Sequence, residues 1–340
     1  MRHRPQSWTE NATCRQISSR ALRASAHVDL SPSICVDSAW RENLTLLQLK
    51  DAARLLVYFA ATILVGALLA PILFWTANWF AAHQIWASLA QLDFETFFHR
   101  ALLLAALGLL WPLLRAVEVR TTSDLNLAPN PKWRRDLLAG FLFSAVPLLC
   151  CGAALLAVHI FSLRFTISSL ALVKIIGASV AVPVIEETFF RGLILGLLLR
   201  SGRTDTSIFV TSSLYSIVHF LKAPQGTSTI VTWTSGFNSI AHSLVQFADP
   251  ILVAAGFTTL FLIGWILADA RIRTHSLWLS IGLHGGWIFA SGAFNKMAHR
   301  EVLALPWLGK NLLVGIVPLG VASLTWIVMH GWLKYGPAKI

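Results

Sequence analysis

The sequence predicts an all-α, polytopic membrane protein, with about eight transmembrane helices around a central polar cavity. Three observations carry that prediction. Hydrophobic residues make up 56% of the 340 and charged residues only 13%, with a mean hydropathy of +0.65, far from soluble globular composition. Apolar stretches long enough to cross a bilayer recur along the chain. The run Glu186-Glu187-Thr188-Phe189-Phe190-Arg191 then sets three ionisable groups inside one such stretch, from about Leu170 to Leu199. A charge near the bilayer centre costs about 2.5–3.5 kcal/mol on insertion scales, and such residues face a bundle interior or a water-filled cavity. The blander reading is an ion-paired cluster that only ties helices together.

In chain order, residues 1–48 are polar, basic and aperiodic, with Arg2, Arg4, Arg15, Arg20, Arg23 and Arg41 and no apolar core of signal-peptide length. They read as a disordered cytoplasmic extension, or as the product of a start codon assigned too far upstream. Residues 49–340 read as a helical transmembrane domain, with spans at about 53–76, 99–114, 137–162, 168–200, 206–221, 250–268, 276–293 and 311–333. The fourth is too long for one straight helix, and Pro183 predicts a kink in it. The link from Lys222 to Asp249 is rich in Ser, Thr and Gly; its apolar residues Phe237, Ile240, Leu244, Val245 and Phe247 predict a helix lying on the membrane surface.

The formal charge of +11 does not imply a nucleic-acid partner, because a positive-inside membrane protein carries the same excess on its cytoplasmic loops. Arg115, Arg120, Lys132, Arg134 and Arg135, then Arg200 and Arg203, then Arg271 and Arg273, all fall on one side, with the basic N-terminus and Lys334. That puts both termini in the cytoplasm, in a cytoplasmic (inner) membrane. Several of the fourteen tryptophans sit at span ends, among them Trp75, Trp111 and Trp307, as interfacial anchors do. Cys14, Cys35 and the adjacent Cys150-Cys151 form no metal or disulfide pattern and read as free thiols, the last two buried.

Helical spacing divides the labour within the acidic run. Glu187 and Arg191 are four apart, share a face, and form an ion pair. Glu186 is rotated by about 100° and remains available as a base. Two intramembrane histidines join it: His219, closing Tyr215-Ser216-Ile217-Val218-His219, and His284, within Gly282-Leu283-His284-Gly285-Gly286-Trp287. The flanking glycines let another helix or a substrate come close. Counted from Arg200, Arg203 and Arg273, the depths of Glu186, His219 and His284 are about 21, 24 and 16 Å, a spread that helix tilt absorbs.

Glu-Glu-x-x-x-Arg, then aromatic-x-x-x-His, then a later intramembrane His resembles the signature of the CPBP intramembrane proteases, over roughly 137–293. That family includes CAAX-type Ras-converting endopeptidases and bacterial proteins linked to bacteriocin processing and self-immunity. The resemblance implies Glu186 as the catalytic glutamate, His219 as its partner in activating water, and His284 as a stabiliser of the oxyanion. Glu187, Arg191 and Tyr215 take supporting positions. Two positions depart from the pattern: Tyr215 stands where Phe is usual, and Ile288 stands where the CAAX-processing enzymes carry an oxyanion-assisting Asn. Trp287, one residue earlier, is the neighbouring side chain with an N–H to offer.

The expected function is therefore an intramembrane endopeptidase acting on a membrane-associated peptide or protein, by glutamate-activated water and without a cofactor. A rival enzyme reading makes Glu186, His219 and His284 a zinc site with an open fourth position. A non-catalytic rival keeps the same fold as a bacteriocin-immunity or peptide-binding membrane protein. The lipid bilayer is a partner on every reading.

Overall fold

The structure, a computed structural model, describes residues 38–164, 169–220, 230–301, 306–309 and 312–335. The chain divides into Met1–Asn43 and Leu44–Ile340, and the helical bundle lies in the second unit. Most of the basic N-terminal segment, residues 1–37, and Cys14 and Cys35 with it, lies outside the described residues.

Among the described residues, ten α-helices follow in order: α1 Ser38–Ala82, α2 Phe94–Ala116, α3 Trp133–Ala157, α4 Ser169–Glu187, α5 Leu195–Leu199, α6 Thr204–Phe220, α7 Ser235–Val245, α8 Pro250–Thr274, α9 Trp278–Met297 and α10 Ile316–Tyr335. A π-helix, Thr188–Ile194, joins α4 to α5, so the fourth expected span is one composite rod. Among the described residues, six segments are long and apolar enough to cross a membrane: Lys50–Ala82, Phe94–Ala116, Trp133–Ala157, Ser169–Leu199, Val253–Thr274 and Ile316–Tyr335. The protein is an integral, multi-pass membrane protein. The other two expected spans fall on α6 and α9. The first is only 17 residues long and rich in Ser and Thr. The second carries Ser280, Gly282, His284, Gly285, Gly286 and Ser291, which are polar or small because the helix lies inside the bundle, where protein rather than lipid surrounds it.

The all-α expectation needs one addition, an antiparallel pair of β1 Phe161–Leu163 with β2 Ala298–Arg300. The Ser162 hydroxyl donates across it to Glu301 and lies 3.0 Å from His299 Nε2. Three residues per strand is too short for alternation to announce a strand in sequence.

Lipid offers apolar side chains the same environment that a neighbouring helix does, so close backbone approach holds such a bundle together. Gly282 and Gly286 supply that approach on one face of α9: a Cβ on Gly282 would collide with the Leu137 carbonyl, and one on Gly286 with Phe141 and Ser144 of α3. Gly285 meets α4 on the other face, where a Cβ would lie 2.7 Å from the Ser179 carbonyl oxygen. That carbonyl is the one whose helical partner is lost because Pro183, four residues on, has no N–H. Elsewhere Asp269 of α8 takes Arg273 Nε at 2.8 Å and the Trp326 indole N–H of α10 at 3.1 Å.

Helices α1, α2, α3 and α8 are followed by left-handed residues that are not glycine, Gln84, Glu118, His159 and His275, with φ from 50 to 61°. The usual Gly stop signal is thus missing at four ends. The link at 222–249 does hold a helix, α7, although residues 221–229 lie outside the described ones. It packs by its small side, with Ser235, Gly236, Ser239 and Ser243 buried and Phe237 and Leu244 turned outward. Cys150 and Cys151 are free but not buried as expected: the first is exposed and the second half-buried. An apolar helix buries its outward face in lipid, so hydropathy alone does not say which residues face protein.

Candidate active site

The site begins where α4 changes to π geometry. A π turn adds a residue to the turn and re-aims the side chains around it, and such turns recur at functional sites. Glu186 and Glu187 are the last residues before it. Their carboxylates take separate directions.

Glu187 is fully buried. Its Oε1 accepts from Arg191 Nη1 at 3.0 Å and from His284 Nδ1 at 2.8 Å. Arg191, equally buried, donates Nη2–H to the Gly264 carbonyl of α8 at 3.2 Å. Its guanidinium lies 4.4 Å from the centre of the Tyr215 ring and 5.7 Å from that of Phe190. A buried cation held by a carboxylate, a carbonyl and an aromatic face is compensated on several sides. Together these contacts pin α4, α6, α8 and α9 at one level.

Glu186 faces the two imidazoles. Its Oε2 lies 3.6 Å from His219 Nε2 and 3.9 Å from His284 Nε2. The partners of the other ring nitrogens assign the tautomers. His219 Nδ1 is 2.9 Å from the Tyr215 carbonyl, an acceptor, so Nδ1 carries the hydrogen and Nε2 the lone pair. His284 Nδ1–H donates to the Glu187 carboxylate in the same way. A carboxylate oxygen and two Nε2 atoms therefore converge on one place. Glu186 Oε2 is itself buried, with no hydrogen-bond partner among the described residues. The Glu186 and His219 side chains keep 26% and 30% of their surface, against 6% for His284, so the cluster is open on the Glu186–His219 side.

Such a donor set suits a species that brings hydrogens or positive charge. On a tetrahedral zinc, donors about 2.0–2.2 Å from the ion stand about 3.4 Å apart. The separations from Glu186 are a few tenths of an ångström wider, and among the described residues no group of three His, Cys, Asp or Glu side chains is set to hold a metal.

The structure thus brings together Glu186, His219 and His284, with Glu187, Arg191 and Tyr215 behind them. The Tyr215 ring lies 4.2 Å from the His219 ring and 6.2 Å from the His284 ring, centre to centre. Trp287 is not part of the group: it is buried in the main apolar core, and among the described residues it makes no hydrogen bond to the cluster. Ile288, one turn on from His284, lines a groove between α4 and α9. Two contributors escaped the sequence reading. Gly264, whose carbonyl receives Arg191, also lets α8 approach Ser212 of α6, since a Cβ there would lie 3.1 Å from Ser212 Cα. A mid-span glycine was the available signal. The Phe190 ring, behind Arg191, had none beyond its apolarity.

Residues 168–290 match the family model described as type II CAAX prenyl endopeptidase Rce1-like, a stretch that holds Glu186, His219 and His284. No curated protein and no solved structure matches the chain.

Proposed function

We propose that this membrane protein is a glutamate-dependent intramembrane endopeptidase, a reading supported by the match of residues 168–290 to the Rce1-like, type II CAAX prenyl endopeptidase model, consistent with the CPBP proteases. In this reading Glu186 takes a proton from a water molecule, and the water oxygen attacks the carbonyl carbon of a membrane-associated peptide. His219 Nε2 accepts the second hydrogen of that water and orients it. His284, anchored through Nδ1 to Glu187, faces the developing oxyanion and stabilises it through Nε2–H when the ring is charged. The C–N bond then breaks, and the proton held by Glu186 passes to the departing amine.

The observation that carries the reading is the pair of ring nitrogens aimed at Glu186 Oε2, at 3.6 and 3.9 Å, with both Nδ1 atoms already committed elsewhere. A histidine serving only to pack would not need its second nitrogen directed at a carboxylate. Tyr215, Glu187 and Arg191 act as positioning residues. Trp287 makes no hydrogen bond to the cluster among the described residues, and Ile288 offers no donor, so His284 carries that role without a side-chain amide. Helices α6 and α9 complete an eight-span bundle with the polar site at its centre and both termini in the cytoplasm.

The test is turnover of a precursor by purified protein. Glu186→Gln and His219→Ala should each lower cleavage about 100- to 10,000-fold, the usual worth of a positioned base. Membranes of cells carrying Glu186→Gln should accumulate the uncleaved substrate. Retention of the biological effect by Glu186→Gln would favour the non-catalytic, peptide-binding or immunity reading. The convergence of donor atoms also motivates the zinc reading, in which Glu186, His219 and His284 hold the ion. Loss of turnover on chelation, restored by zinc, would replace the metal-free mechanism.

A further inference from the structure

Beyond the acidic cluster, on the side where α4 begins and α9 ends, the two helices diverge and leave an apolar groove of about 400 Å³. Ile175 and Ala178 line one wall, Ile288 and Gly292 the other, and Lys174 and Lys296 stand at its edge. The two helices touch along the floor of the groove, at Ile175 and Gly292 and again at Ser179 and Gly285, where added Cβ atoms would lie 3.2 and 2.7 Å from α4. We propose that it holds an anionic phospholipid, with the phosphate between Lys174 and Lys296 and an acyl chain along Ile175, Ala178, Ile288 and Gly292.

Position argues for a lipid. The early part of α4 packs on α9, while Val173, Ile176 and Val180 on its other face are exposed on a segment apolar enough to span the membrane. Lys174 is five residues in from the start of α4, about 7.5 Å, and Lys296 is one residue from the end of α9. Two helices running in opposite directions thus present both ammonium groups at one end, near the level of lipid phosphates.

Charge argues for an anionic one. Both lysines are exposed, and among the described residues neither pairs with a carboxylate. A cation in an apolar span is costly, and its stem extends the head toward the interface, where a phosphate compensates it. The lipid would brace the outer flank of the helix that carries Glu186 without entering the site. This inference does not depend on the peptidase reading.

Purified protein in a neutral detergent is titrated with phosphatidylglycerol and with phosphatidylcholine, and bound lipid is counted by native mass spectrometry. At about fivefold per basic residue, phosphatidylglycerol should bind about 30-fold more tightly. Lys174→Gln with Lys296→Gln should abolish the preference at unchanged unfolding temperature, and Lys174→Arg with Lys296→Arg should keep it. An unchanged preference in the glutamine pair would place the lipid elsewhere and overturn the proposal. So would a glutamine pair that bound the lipid normally but lost affinity for a peptide ending in a free carboxylate, since the groove would then be a peptide subsite.

Discussion

His284 Nδ1 and Arg191 Nη1 share a single acceptor, Glu187 Oε1, at 2.8 and 3.0 Å, and none of these groups reaches the surface except for a small edge of the imidazole. One carboxylate therefore fixes a guanidinium on its own helix and a ring on α9. Glu186, next in the chain, has no such tie.

The two glutamates should consequently fail in different ways. Glu187→Gln leaves Arg191 as a buried charge without its counter-ion, a change that typically costs about 3–5 kcal/mol. It should lower the unfolding temperature markedly, and turnover with it. Glu186→Gln changes a partly exposed carboxylate whose Oε2 accepts no hydrogen bond among the described residues, so its unfolding temperature should stay within a few degrees of the parent while turnover collapses. Thermal unfolding and turnover of both variants, measured side by side in detergent, check this. Equal destabilisation by the two substitutions would mean that both carboxylates are structural.

Much of this arrangement was legible in the residues. The Glu187–Arg191 pair follows from helical spacing, and the common level of Glu186, His219 and His284 follows from rise per residue. What escaped depends on local geometry that hydropathy does not encode. Pro183 drew attention to a kink, but the α pattern gives way later, at Thr188–Ile194, and that π turn carries no residue signature. Trp287 adjoins the oxyanion position in sequence, whereas in the structure its ring packs into the main apolar core. Gly264 mattered through its carbonyl, which no side-chain pattern records. The exposed Cys150 shows the same limit from the other side, since lipid and protein interior read alike in an apolar span.

The glycine seam between α3 and α9 predicts a sharp contrast between two alanine substitutions. A methyl group on Gly286 would meet the backbone of α3 at Phe141 and the Ser144 hydroxyl, so the helices must separate. Overpacking of that kind costs about 1–3 kcal/mol or more. It would also shift His284, two residues away, off the Glu186 level. Gly108 of α2 has nothing within 4 Å of the same added atom, and its substitution should be neutral. Unfolding temperatures of Gly286→Ala and Gly108→Ala provide the comparison, and a neutral Gly286→Ala would mean that α9 is not tightly seated.

A last expectation concerns the loop that leads into α3, outside the membrane-spanning segments. The Asp124 carboxylate accepts the Arg120 and Thr121 amide N–H groups at 3.0 and 2.8 Å, and these bonds hold its pKa below the ordinary carboxylate value. Two residues on, the Asn126 carbonyl takes the Leu277 N–H at 3.0 Å, one residue before α9 begins, so this turn abuts the helix that carries His284. Because the folded form prefers the ionised state, the turn's contribution is full above the unfolded pKa, about 3.9, and fades as pH falls through the lower folded value. Amide exchange at Arg120 and Thr121 should accordingly stay slow down to about pH 4 and quicken below it, once corrected for the intrinsic pH dependence of exchange. Asp124→Asn should flatten that step and leave both amides less protected throughout. A step of equal size in the Asn variant would assign the pH response to another group, with Glu301, held low by Ser162 and His299, next to be substituted.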